Sequence, residues 1–271
     1  MTKKVSPYKT SIDSGNAYWM ARLSKLAYIN KSDEDNTPCE TEILAVLKGE
    51  DSKFIRVKGY NNKSSQGLLV EHEEYICMAF RGTDEPRDWL DNINAFSTKV
   101  LFGDFHRGFW NALDDIWNSL KDDYDVLMRD SKRPLFITGH SLGGAMATIA
   151  AAKFIHEDIP FTSVYTFGQP RVMSRETSRV FNMECQSRFH RFHNNNDLVT
   201  RVPARLMGYS HVGSYLYITE EKEIHAEPGF WFRFVDHVDG AVEALKEDGI
   251  DVIEDHDMSD YLDAVEKWNY N

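Results

Sequence analysis

In the stretch FITGHSLGGAMATIAAA, residues 136–152, one serine, Ser141, stands between Gly139 and Gly143 where a strand-like run gives way to a helix-like one. Phe136, Ile137 and Thr138 are aromatic or β-branched, as a buried strand prefers. Ala145, Ile149, Ala152 and Phe154 then recur at helical spacing. A serine hydroxyl is a poor nucleophile at neutral pH and needs a base beside it. G-x-S-x-G between strand and helix sets that hydroxyl on a strained turn, with small neighbours that let two backbones approach. The N–H of Leu142 then points toward a reacting carbonyl, and the helix N-terminus adds positive potential where oxyanion charge would develop. The competing reading is a plain glycine-rich turn, which the flanking strand and helix disfavour.

A nucleophile of this kind requires an acid and a histidine later in the chain, in the order serine, acid, histidine. RFHRFHNNNDLVTRVP offers Asp197 after an aromatic-alternating run, although Asn-Asn-Asn-Asp also reads as a turn. The histidine should sit on a late loop, and His211, His225, His237 and His256 are the candidates. His190 and His193, three apart on a strand, face opposite sides and read as structural. Zinc is not supported.

Four segments together resemble the class 3 lipases, the fungal-type triacylglycerol lipase family, over roughly residues 14 to 262. GHSLGGA is similar to the family's nucleophile motif and NNNDLVTRVP to its acid motif. DHDMSDYL is similar to its histidine motif, and AFRGTDEPRDWLDN to its oxyanion segment with the lid that follows. The resemblance implies Ser141 as nucleophile, Asp197 as acid and His256 as base, with the backbone N–H groups of Thr83 and Leu142 as oxyanion donors. His237, in VDHVDG, is the rival base. It further implies an α/β-hydrolase fold, a central mostly parallel sheet flanked by helices with a short lid helix. The implied activity is hydrolysis of fatty-acyl esters, acylglycerols foremost, through an acyl-enzyme without metal or cofactor. Phospholipase A1, short-chain carboxylesterase or acyltransferase activity, or a silent lipid- or partner-binding role, stay open.

Trp89, Leu90, Ile93 and Phe96 fall on one helical face. By periodicity this is a surface helix packed on the domain. By resemblance it is a lid that covers the acyl site in water and turns toward lipid at an interface. The family's secreted fungal members carry disulfides that Cys39, Cys77 and Cys185 cannot reproduce, so location does not transfer.

The elements that must position these residues alternate. AYWMARLSKLAYI reads as an amphipathic helix, followed by strand candidates EILAVL, FIRVKG, GLLVEH and EYICMAF. In HRGFWNALDDIWNSLKDDYDVLMR, the residues Phe109, Leu113, Ile116, Trp117, Leu120, Tyr124 and Leu127 form one apolar stripe. RPLFITG, FTSVYTFG and SRFHRFHN then alternate with helices, GSYLYIT reads as a strand, and MSDYLDAVEKW as a final helix. Such alternation predicts an α/β fold with a largely parallel sheet, and residues 1–271 read as one domain. Of the 271 residues 42% are hydrophobic, enough for a sizeable core. The 43 acidic against 31 basic residues give a net charge of −12, which argues against nucleic acid and anionic lipid surfaces as electrostatic partners. The N-terminus shows no apolar run of secretory length, and no stretch approaches the ~18 apolar residues of a membrane span. The default expectation is a reducing, cytoplasmic setting.

Overall fold

The computed structural model describes residues 3–83, 96–226 and 254–270. The lid positions Trp89, Leu90 and Ile93, and the rival base His237, lie outside the described residues.

Two helices come first, α1 (Ser14–Leu26) and α2 (Glu40–Glu50). The main sheet has eight strands: β1 (Phe54–Asn62), β2 (Ser65–His72), β3 (Ile76–Phe80), β4 (Leu135–His140), β5 (Ser163–Phe167), β6 (Phe189–Asn194), β7 (Ser214–Ile218) and β8 (Ile224–Ala226). Neighbours in the sheet follow chain order throughout. β1, β2 and β3 pair antiparallel, β3 through β7 pair parallel, and β8 closes the edge antiparallel. Parallel neighbours need long crossovers. Helices α3 (Arg107–Asp130), α4 (Leu142–His156) and α5 (Arg175–Cys185) lie in the first three, and α6 (Met258–Lys267) follows the sheet.

Strand periodicity explains the layers. Ile76, Met78 and Phe80 of β3 and Leu135 and Ile137 of β4 join one core with α3 and α4. Cys77, Ala79 and Phe136 point the other way, into a second core with α1 and α6. With both faces covered, the central strands β3 to β6 are buried at every position, as parallel sheets require. Helix α4 is buried from Leu142 to Phe154, which explains its nearly unbroken apolar sequence.

One expected strand is a helix. EILAVL lies within α2, where Ile43 and Leu47, four apart, are the buried residues. Its Ala, Leu, Glu and Lys are strong helix formers, and a short apolar run alone does not distinguish the two periods. A small four-stranded sheet, built from Ser97–Val100, Gly103–His106, Met173–Ser174 and Tyr209–Ser210, was not legible in the sequence.

Register brings the ends of the central strands to one edge: Phe80 pairs with Gly139, His140 with Phe167, and Phe167 with Phe192. Ligands in open α/β sheets bind outside these carboxyl ends. Thr83, Ser141 and Asp197 each follow one of these strands by a few residues.

Candidate active site

Ser141 occupies a backbone conformation that L-residues avoid, with φ +59° and ψ −129°. Such a residue costs on the order of 1–3 kcal/mol and persists only where its surroundings over-determine it. Here Ser141 N–H donates to the Phe167 carbonyl at 2.9 Å, while its own carbonyl accepts from Gly144 N–H at 2.9 Å. A Cβ on Gly139 would overlap the Gly143 carbonyl, and one on Gly143 would overlap the Phe80 carbonyl. The two glycines let β3, β4 and α4 converge on a single turn.

Asp197 and His256 meet directly, with Nδ1 of His256 2.8 Å from Asp197 Oδ2. Both are buried. The carboxylate also accepts from Val199 N–H at 2.9 Å through Oδ1 and from the Tyr261 hydroxyl at 2.6 Å through Oδ2. Burial alone would raise the carboxyl's pKa. The charge and hydrogen bond of His256, with His193 and Tyr261, outweigh burial and hold Asp197 below the usual carboxylate range. An ionised carboxylate only accepts, so His256 donates through Nδ1–H, and in its neutral form the lone pair is on Nε2. His256 Nε2 and Ser141 Oγ are both buried, and among the described residues neither has a hydrogen-bond partner. Two unpartnered buried groups, one a donor hydroxyl and one a basic nitrogen, are costly in a purely structural role.

The loops carrying the pair are joined by the asparagines ahead of Asp197. Asn194 Nδ2 donates to the Asp255 carbonyl at 2.8 Å, and Asn195 Nδ2 and Asn196 N–H both donate to Asp255 Oδ2 at 3.1 Å. Asp257 caps α6 through Ser259 N–H at 2.7 Å. Gly168, at φ +58°, has no room for a side chain: a Cβ there would lie 2.8 Å from His256 Cε1 and 2.9 Å from Asp197 Oδ2. In the sequence the Asn run reads both as part of the acid motif and as a turn, and neither Gly168 nor the contact of Tyr261 is legible there. The tyrosine is visible in the sequence only as a landmark five residues after His256.

Leu142 heads α4, where its N–H has no acceptor within the helix. Thr83 lies three residues beyond the end of β3, and Gly82 packs so closely that a Cβ would lie 2.7 Å from Ser141 Cβ. Of the other candidate histidines, the two among the described residues are engaged elsewhere. His211 is half-buried, with Nε2 2.7 Å from the Thr200 carbonyl, and His225 is half exposed beside Glu223. Phe96, the described member of the lid set, is exposed, with the Arg107 guanidinium 5.0 Å from its ring. Among the described residues no group of His, Cys, Asp and Glu side chains could hold a metal ion, and no helix is long and apolar enough to cross a membrane.

The family model described as lipase (class 3) matches residues 77–207, from β3 past the acid. Over that segment, just under half of its length, the chain is similar to the class 3 lipases. A secreted mono- and diacylglycerol lipase of Fusarium solani is 33% identical over 172 residues, covering 60% of this chain and 50% of that protein. A secreted mono- and diacylglycerol lipase of Penicillium cyclopium is 29% identical over 161 residues, covering 56% and 51%. The chain thus spans about half the length of these curated relatives. The solved triacylglyceride lipase of Rhizomucor miehei superposes with a TM-score of 0.65 at 19% identity, covering 78% of this chain and 83% of that one. At that identity the likeness concerns the fold, and the fold is the expected α/β-hydrolase one.

Proposed function

We propose that this chain is a serine carboxyl-ester hydrolase acting on acylglycerols, with Ser141 as nucleophile, His256 as general base and Asp197 as its orienting acid. The observation that carries the reading is the pair of buried, unpartnered atoms, Ser141 Oγ and His256 Nε2, behind a histidine already fixed by a buried carboxylate. His256 Nε2 takes the hydroxyl proton as Oγ attacks the ester carbonyl, and Asp197 stabilises the imidazolium. The N–H groups of Leu142 and Thr83 receive the oxyanion, an effect of about 3 kcal/mol per donor. Collapse expels the alcohol, protonated by His256. Water, deprotonated by the same imidazole, then releases the fatty acid. The names of the Fusarium and Penicillium relatives support mono- and diacylglycerols within this class. The continuous sheet supports one domain, and an exposed Phe96 is consistent with a lid that meets lipid transiently.

The test is turnover of monoolein, diolein, triolein, tributyrin and a phosphatidylcholine by the wild type and Ser141→Ala. Release of fatty acid from the glycerides, abolished by the substitution, supports the reading. Turnover confined to phosphatidylcholine, or surviving in Ser141→Ala, refutes it.

A further inference from the structure

His140 is the last residue of β4, next to Ser141, and its side chain is buried. It plays no part in the proton transfers above, yet both ring nitrogens are committed. Nε2 is 2.8 Å from the backbone carbonyl oxygen of His256, and Nδ1 is 2.8 Å from the hydroxyl of Tyr28. A carbonyl only accepts, so Nε2 bears the proton and Nδ1 offers its lone pair. The Tyr28 O–H therefore donates to Nδ1, and the same oxygen accepts from Gly82 N–H at 3.1 Å. The result is one directed chain from the Gly82 peptide, through Tyr28 and His140, to the His256 peptide. One end is next to the oxyanion residue Thr83, and the other is the backbone of the base.

The surroundings fix this chain in place. The His140 and His256 rings lie against each other, with centroids 4.5 Å apart and planes inclined by 32°. The Arg81 guanidinium sits 5.4 Å from the Tyr28 ring centre and donates to Asn30 Oδ1 at 2.7 Å. Burial, and next the neighbouring His256, push the His140 ring down to about 3, so it stays neutral beside a catalytic imidazolium. Fully satisfied buried networks of this kind rigidify what they connect.

We propose that His140 is a positioning residue which, through Tyr28, couples the backbone of Gly82–Thr83 to that of His256, holding oxyanion donor and base at a fixed separation across Ser141. This rests on the hydrolase reading of Ser141 and His256. Loss of the coupling lets donor and base drift independently, and displacements near 1 Å cost about a hundredfold in rate.

The experiment compares Tyr28→Phe, His140→Leu, the double variant and His140→Gln, whose amide can still donate to the His256 carbonyl, on a soluble p-nitrophenyl butyrate substrate. Each of the first two should lower kcat by about tenfold or more with KM nearly unchanged. The double variant should be no worse than about twofold beyond the weaker single variant, and His140→Gln should recover part of the loss. Unchanged kcat in Tyr28→Phe, or losses that multiply in the double variant, overturns the proposal. Where a variant fails to fold, the 15N histidine spectrum of the wild type decides. A neutral His140 protonated on Nε2 at pH 7 supports the relay, and protonation on Nδ1 overturns it. Wild-type turnover that survives Ser141→Ala instead refutes the hydrolase reading, and the same spectrum still judges the relay.

Discussion

Asp197 and His256, 59 residues apart in the chain, are joined at 2.8 Å between Oδ2 and Nδ1. Their loops are held together by Asp255, whose carboxylate accepts from Asn195 and Asn196. Asp255→Ala removes that clasp without touching the reacting groups. The expected outcome is a fall in kcat/KM of about tenfold with a native circular-dichroism spectrum, whereas Asp197→Asn should lose roughly 10⁴-fold in kcat.

Tyr261 ties the acid to the sheet. Its hydroxyl donates to Asp197 and accepts from Asn194 N–H at 3.0 Å. Tyr261→Phe leaves a buried N–H unpartnered, a cost of about 1–3 kcal/mol that lowers Tm. It also removes one of the groups that hold Asp197 below its usual range. A carboxylate depressed on folding contributes stability above its unfolded pKa and loses it as pH falls through the folded value. With Tyr261 gone the folded value rises, so the acid limb of the Tm–pH curve should move to higher pH. An unmoved limb would contradict the coupling.

Two glycine substitutions should act in opposite directions. Gly49 lies within α2 with open space around its Cβ position, and Gly49→Ala should stabilise by about 0.5–1 kcal/mol. Gly168→Ala combines φ +58° with crowding against His256 and Asp197. Chemical denaturation should show a loss of stability, and kcat should fall by about a hundredfold.

Buried histidines set the acid sensitivity of the fold. Burial first, and charged neighbours where present, push His140 down to about 3, His190 to about 4 and His211 well below its ordinary value. Between pH 6.5 and these values the unfolded chain binds protons that the folded chain does not. Stability therefore falls as pH drops through that window, by about 1.4 kcal/mol per unit of depression for each group. Thermal melts should give a Tm that is level above pH 7 and declines steadily from pH 6.5 to 4.5. A constant Tm over that range would refute this.

Ser141 was readable from its own neighbourhood because the constraint is local: the overlaps that demand Gly139 and Gly143 involve backbone within a few residues or one strand away. Asp197 was offered by its own stretch, but choosing His256 among four histidines needed the resemblance, since a carboxylate and an imidazole 59 residues apart carry no joint signature. The clasp by Asn194, Asn195 and Asn196 was hidden by its composition, because Asn is equally at home in turns. Tyr28 and His140, 112 residues apart, meet only after β4 is threaded between its neighbours. EILAVL reads as a strand because its short unbroken apolar run, Ile43 to Leu47, shows neither period.

The most direct measurement of whether Ser141 is activated by His256 is labelling with a fluorophosphonate, followed by intact mass and peptide mapping. One adduct on Ser141, absent in Ser141→Ala and slowed by at least ~10³-fold in His256→Ala, is the predicted result. Equal labelling of the wild type and Ser141→Ala, or an adduct mapped to another residue, would contradict it.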